Sequence, residues 1–261
     1  MEIIIERDAE GVARQVADRF ESVIRHGGRF GVTLGLATGS SPVATYQELI
    51  RRHREEGLSF GHARAFLLDE YVGIPRSHEQ SYHRFIREHF TSHVDIADEL
   101  VISPDGQAAD PVGEAARYDR GIADAGGVDL QILGIGGNGH IGFNEPTSAL
   151  TSRTRVKTLT EQTISDNARF FDSPEDVPVH VITQGLGTIM EARRIVLAAT
   201  GESKASAIAA MIEGPFGAFC PATILQMHPA VTVVVDEDAA GELQDAEYYR
   251  FIQRQKSRLE G

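Results

Sequence analysis

The chain has 261 residues, 41% of them hydrophobic and 24% charged, with a formal net charge of -13 at neutral pH. That length suits one large domain or two small ones with a substantial core. The acidic balance speaks against a nucleic-acid or anionic-membrane surface. The single cysteine, Cys220, forbids an intrachain disulfide and leaves no Cys-x-x-Cys zinc pattern, which fits a reducing, cytoplasmic setting. The start, Met1 to Asp8, lacks the basic and apolar regions of a signal peptide, and no run has the length and apolarity of a membrane span.

In chain order, Glu2 to Ile5 predicts a short β-branched strand. Asp8 is placed to cap a helix in which Val12, Val16, Phe20 and Val23 recur at helical spacing. Arg29 to Leu36 predicts a buried strand that empties into Ala37-Thr38-Gly39-Ser40-Ser41-Pro42, followed by a helix through Tyr46, Leu49 and Ile50. Pro42 suits a first helical turn. The free N–H groups and the positive end of that helix make an anion cradle, and three hydroxyls add donors. An ordinary N-cap is the competing reading, but it needs only one hydroxyl. No P-loop lysine follows, which speaks against a nucleoside triphosphate.

Ala65 to Leu68 predicts a third strand, ending in Asp69-Glu70-Tyr71. A carboxylate pair there is either a ligand-facing pair of an open α/β sheet or a solvated turn. Ser81 opens a helix with Tyr82, Phe85 and Ile86 on its apolar side. Val94 to Ser103 holds a loop and a short strand, and a polar helix runs from about Pro111 to Ala125. The central strand, Val128 to Leu133, follows. Beyond it, Thr147 to Thr160 is polar, with an alternation from Thr154 that predicts a surface ribbon, and Glu161 to Phe171 predicts a helix. Residues 147–178 thus interrupt the β/α alternation, as a lid or as a plain surface insertion. Val179 to Ile182 and Arg194 to Ala199 predict strands separated by a helical turn at Gly185 to Glu191. Lys204 lies at the next strand-to-helix junction, where the helix dipole opposes a cation. Val231 to Val235 predicts the last strand, and Asp236-Glu237-Asp238 an acidic helix start. With no repeat and no clear linker, residues 1–261 read as a single α/β domain.

The chemistry concentrates in Gly134-Ile-Gly-Gly-Asn-Gly-His-Ile-Gly-Phe-Asn-Glu-Pro146, a loop too rich in glycine to be a helix. It carries Asn138, His140, Asn144 and Glu145. Glycines let the backbone take positive φ and approach a ligand closely. His140 is the residue type that titrates near neutrality without help, and Glu145 can orient it or share its proton. Gly134, Gly136 and Gly139 also fit Gly-x-Gly-x-x-Gly, but no helix is predicted after them, so nicotinamide binding is disfavoured. A glycine-rich turn with a structural histidine is the simpler alternative.

Leu68-Asp-Glu-Tyr-Val-Gly-Ile-Pro75, the Gly134–Pro146 loop, Ser152-Arg-Thr-Arg-Val-Lys-Thr-Leu159 and Ala168-Arg-Phe-Phe-Asp172 resemble the glucosamine-6-phosphate deaminase family, over nearly the whole chain. The resemblance implies an open, doubly wound, mostly parallel sheet with helices on both faces, Rossmann-like. It implies conversion of glucosamine 6-phosphate and water to fructose 6-phosphate and ammonia, with no metal or organic cofactor. Carried over, Asp69 moves a proton between C2 and C1, and His140 handles the ring-oxygen proton with Asn138 and Glu145 in support. Thr38, Gly39, Ser40, Ser41, Arg169 and Lys204 resemble the phosphate-binding set. Ser148, Arg155, Lys157 and Thr158 resemble an effector site for N-acetylglucosamine 6-phosphate found in hexameric members, and Tyr248 or Tyr249 could match a C-terminal tyrosine of that site. A homo-oligomer is therefore allowed, with a small-molecule substrate as the partner and neither nucleic acid nor membrane. Some members carry aspartate where this chain has Asn138, which predicts a shifted pH dependence of ring opening. The chain lacks the His-x-Glu and Pro-Cys-x-x-Cys motifs of hydrolytic base deaminases. Two rival readings remain: a 6-phosphogluconolactonase-like hydrolase, which needs no carbon base, and a non-catalytic sugar-phosphate sensor.

Overall fold

The computed structural model describes residues 1–27, 31–160, 164, 171, 173 and 176–260, the side chains of 257, 259 and 260 excepted. Two sheets organise it. The larger has seven parallel strands in the order β1-β10-β9-β6-β2-β3-β5, comprising Glu2–Glu6 (β1), Val231–Asp236 (β10), Ile195–Ala199 (β9), Leu130–Leu133 (β6), Val32–Leu36 (β2), Ala63–Leu67 (β3) and Val101–Ile102 (β5). The smaller is antiparallel, in the order β4-β8-β7, from Asp69–Tyr71, His180–Thr183 and Arg155–Thr158.

Strands buried on both faces read as continuous apolar runs. β2, Val-Thr-Leu-Gly-Leu, and β9, Ile-Val-Leu-Ala-Ala, are buried at every position. The helices between them are amphipathic. In α1 (Ala9–His26), Val12, Val16, Phe20 and Val23 face the core, and Asp8 caps the first turn by accepting from Gly11 N at 2.9 Å, a contact worth about 1 kcal/mol. Helix α2 (Ser40–Glu56) buries Tyr46 and Leu49 and stops at Gly57 in the left-handed conformation. The two helices are clamped by the buried Arg52, whose guanidinium meets Asp18, Glu21 and Glu48 at 2.7–2.8 Å.

The strand order explains where function can sit. From β2 the chain moves to β3 and then β5, toward one edge. From β6 it moves to β9 and then β10, toward the other. Right-handed crossovers then put α1 and α2 on one face and the helix Pro111–Asp124 with the helix Ala205–Ile212 on the other. The direction reverses between β2 and β6, which pair through Leu34 with Leu130 and Gly35 with Gln131. In such sheets the crevice beyond the carboxyl ends of those two strands is the ligand site.

Two expectations change. Asp236 does not start a helix: its carboxylate accepts from Ala239 N at 2.8 Å and from Gly201 N at 3.0 Å, closing a turn, and the last helix begins at Ala246. Asp69-Glu70-Tyr71 is not a solvated turn but a fully buried strand of the second sheet. The ribbon expected after Thr154 is β7 of that sheet. Arg29 and Phe30 of the expected second strand, and most of the helix expected over residues 161–171, fall outside the described residues, so the lid expectation is not addressed. Among the described residues no helix is long and apolar enough to cross a membrane.

Candidate active site

Four consecutive strands, β3, β2, β6 and β9, deliver the predicted side chains from their carboxyl ends. β2 delivers the hydroxyl cradle. Tyr46, fully buried, reaches back from α2 so that its hydroxyl donates to Ala37 O at 2.7 Å and accepts from Ala37 N at 3.1 Å. That double contact fixes the strand end just before Thr38. The N-cap of α2 is Gly39, at φ 109°, with no side-chain cap. The cap-only reading therefore fails. Thr38, Ser40 and Ser41 do not spend their hydroxyls on the helix, whose first N–H groups and dipole point outward at one place.

β9 delivers Lys204 at the end of a short turn, Glu202–Lys204, before the helix Ala205–Ile212. The loops after β6 and β9 adjoin: a side chain at Gly137 would start 4.0 Å from Ser203 O. Lys204 is half-buried and has no carboxylate partner among the described residues; burial pulls its pKa below the ordinary lysine range. A cation held against both desolvation and a helix dipole is matched to an incoming anion. Arg169, the other predicted phosphate cation, lies outside the described residues.

β3 leads through Leu68 to Asp69. Gln184 holds this corner: its N–H donates to Leu68 O at 2.8 Å and its Nε2 to Leu67 O at 3.0 Å. Asp69 is 5% exposed, and burial, then the charge of neighbouring Glu70, pushes its carboxyl up to about 8. Gly142, at φ +55°, lets the β6 loop pass beside it. A Cβ there would sit 3.7 Å from Asp69 Oδ2 and 3.2 Å from Thr183 Oγ1. Asp69 and the histidine loop are thus brought together across a glycine.

Within that loop the polar groups form a relay. Asn138 Nδ2 donates to Glu145 Oε2 at 2.7 Å, and Asn138 Oδ1 accepts from His140 N at 3.2 Å and lies 2.7 Å from His140 Nδ1. Glu145 decides the amide's orientation, since the flipped amide would set oxygen against carboxylate. Oδ1 therefore faces the imidazole, Nδ1 carries the proton, and Nε2 keeps its lone pair for the site. Glu145 is 3.4 Å from Nδ1 and acts on the ring chiefly through the amide. Gly136 must be glycine, because a Cβ would fall 2.2 Å from the His140 ring. Gly139, at φ +81°, is backed by Cys220, and its carbonyl accepts from Ala222 N at 2.9 Å.

Asn144, fully buried, ties this loop to the second sheet. It donates to Ile141 O at 3.0 Å and Gln184 O at 2.8 Å and accepts from Arg155 Nη1 at 2.9 Å. Of the predicted effector residues, Arg155 is half-buried with its pKa lowered by burial. The Ser148 hydroxyl is buried with no hydrogen-bond partner among the described residues, and Thr158 lies 3.2 Å from His180. Lys157 stands two residues from Arg155 on the same face of β7. Tyr249 instead donates its hydroxyl to Glu213 at 3.2 Å, and Tyr248 is exposed. Gln184, Thr183 and the Cys220 turn carry no local sequence signal; Gln184 meets Leu67 across 117 residues of chain. No group of three or more His, Cys, Asp or Glu among the described residues is arranged to hold a metal ion.

The fold and site define an open α/β enzyme with Asp69 and His140 gathered at the strand ends. The chain belongs to the family of glucosamine-6-phosphate isomerases and 6-phosphogluconolactonases, which matches residues 6–234. It is 61% identical over 256 residues to the glucosamine-6-phosphate deaminase of Rhodococcus jostii (strain RHA1), covering 98% of each chain. It is 53% identical over 258 residues to that of Corynebacterium glutamicum (strain ATCC 13032), covering 99% of this chain and 100% of the relative. Among solved structures, a monomeric glucosamine-6-phosphate deaminase superposes with a TM-score of 0.89 at 39% identity, over 93% of this chain and 100% of that one. A 6-phosphogluconolactonase from Trypanosoma cruzi shares the fold, with a TM-score of 0.72 at 21% identity over 93% of this chain and 97% of that one.

Proposed function

We propose that the chain converts glucosamine 6-phosphate and water to fructose 6-phosphate and ammonia. The observation that carries this reading is Asp69 and the His140 relay meeting across Gly142. Ring opening needs a group that takes the anomeric hydroxyl proton and gives one to the ring oxygen. His140 Nε2, freed by the Asn138 contact, is matched to that task. Asp69 then takes the C2 proton and returns it to C1. The aldehyde becomes the C1 alcohol and the C2 amine becomes an imine. Water adds to the imine carbon, and ammonia leaves.

A carbon base must sit near neutrality to take and release the same proton, and burial moves Asp69 there. The substrate's own C2 ammonium favours the ionised carboxylate when it binds. The phosphate is held by the first turn of α2, the hydroxyls of Thr38, Ser40 and Ser41, and Lys204, with Arg169 added from the family resemblance. That anchor fixes which face of C1 and C2 the base meets. A lactonase needs no buried carbon base, so Asp69→Asn distinguishes the readings. Deamination should fall by at least about 100-fold, and a variant that still deaminates at the parent rate sinks this assignment.

The reading places the enzyme among cytoplasmic sugar phosphates. Ser148, Arg155, Lys157 and Thr158 are proposed as an effector site for N-acetylglucosamine 6-phosphate, because Arg155 touches the catalytic loop through Asn144. Control through them would accompany a homo-oligomer. The solved relative described as monomeric offers the contrasting behaviour. Sedimentation with rate curves in the presence of that effector decides it; a monomer with an unmoved hyperbolic curve removes the proposal.

A further inference from the structure

Glu70, next to the carbon base, points the other way along β4, because successive strand residues face opposite sides. Its carboxylate is 1% exposed and takes four hydrogen bonds. Oε1 accepts from Tyr71 N and Tyr82 N, both at 3.0 Å. Oε2 accepts from His83 N at 3.0 Å and Ser81 Oγ at 2.9 Å. Tyr82 and His83 open the helix Tyr82–His89, so Glu70 satisfies its first two N–H groups, while Ser81 Oγ accepts from Arg84 N at 3.3 Å. A carboxyl proton would have no place among three N–H donors. Burial raises the Glu70 pKa, and those four donors, with the helix dipole, oppose that rise.

We propose that Glu70 is a positioning residue of the reaction: a charged carboxylate, locked to a helix start by four hydrogen bonds, that fixes Asp69 from behind and sets its field on that neighbour. Among the described residues, the titratable groups of the helices Tyr82–His89 and Pro111–Asp124 near Asp69 do not supply a charge, and Arg155, two strands away on β7, turns its guanidinium to Asn144. Tyr82, on the same helix, and Tyr118, from the helix Pro111–Asp124, both have pKa values raised well above the ordinary tyrosine range by burial. His83 is pulled below the ordinary histidine range by burial and by Arg76. Thr183, opposite Asp69 across the sheet, does not titrate. Among the described residues, Glu70 is the charge that acts on Asp69.

The test reads the Asp69 carboxyl directly by carbon NMR in the full chain, with its resonance assigned by its loss in Asp69→Asn. In Glu70→Gln the Asp69 midpoint should fall by about one pH unit. The acid limb of kcat/KM, scaled to its own plateau, should move down with it. A folded Glu70→Gln protein whose Asp69 midpoint and acid limb stay put overturns the proposal, whatever happens to its melting temperature. The wild-type chain gives a second arm that survives misfolding of the variant. The Glu70 carboxyl carbon should keep its ionised shift from about pH 6 to about pH 9, and titration there overturns the proposal. Only the kinetic arm rests on the deaminase reading. Absence of turnover by the wild type would sink that reading and leave the NMR arms standing.

Discussion

Asn138 sets its Oδ1 2.7 Å from His140 Nδ1 while its Nδ2 donates to Glu145 Oε2 at the same distance. A neutral amide therefore stands between the carboxylate and the imidazole. It fixes the tautomer without adding a full charge beside the ring. Asn138→Asp changes both ends. It sets a carboxylate against Nδ1, stabilising the imidazolium, and another carboxylate against Glu145. The limb of the rate profile assigned to ring opening should move to higher pH by about one unit, with modest loss at the optimum. A pH profile identical to the parent's would contradict the relay.

Asp69 makes the site costly to fold. Its folded pKa, about 8, lies above the ordinary aspartate value of 3.8. Folding therefore takes up a proton between those values. The carboxyl costs stability as pH rises from its ordinary range toward 8, and nothing below that range. Asp69→Asn removes the ionisation. The variant should melt at about the parent temperature near pH 4 and several degrees higher near pH 8, at about 2–4 °C per kcal/mol for a chain of this size. Calorimetry at the two pH values checks it. An equal difference at both would mean that Asp69 is not the buried group described.

Lys204 and the uncapped start of α2 are the proposed partners of the substrate phosphate. Lys204→Met keeps the side-chain volume and removes the charge, relieving the burial that depresses its pKa. KM for the phosphorylated sugar should rise about 10- to 100-fold, the worth of a charge-assisted hydrogen bond. Turnover at saturation should change much less. Steady-state kinetics separates the two. A loss confined to kcat would place Lys204 at the reacting atoms instead.

Much of this architecture is legible in the chain because local chemistry and global fold agree. Asp8 caps α1 as its position predicts, and β9 is a continuous apolar run that needs cover on both faces. Gly134–Pro146 is visible as a site because no helix or strand explains so many glycines beside His140. The supports are not visible. Gln184 looks like a polar residue after a strand, yet it bridges Leu67, Leu68 and Asn144. Glu70 looks like half of a catalytic pair, and only the direction of its four donors separates it from Asp69. Asp236 has the composition of a helix start but is captured by Gly201, 35 residues away, a contact that local propensity cannot register.

The most direct test of the account is the release of ammonia and fructose 6-phosphate from glucosamine 6-phosphate by the purified chain. The account predicts one ammonia for each fructose 6-phosphate, with both lost together in Asp69→Asn. Binding without turnover, or hydrolysis of a 6-phosphosugar lactone with no ammonia from the amino sugar, would contradict it.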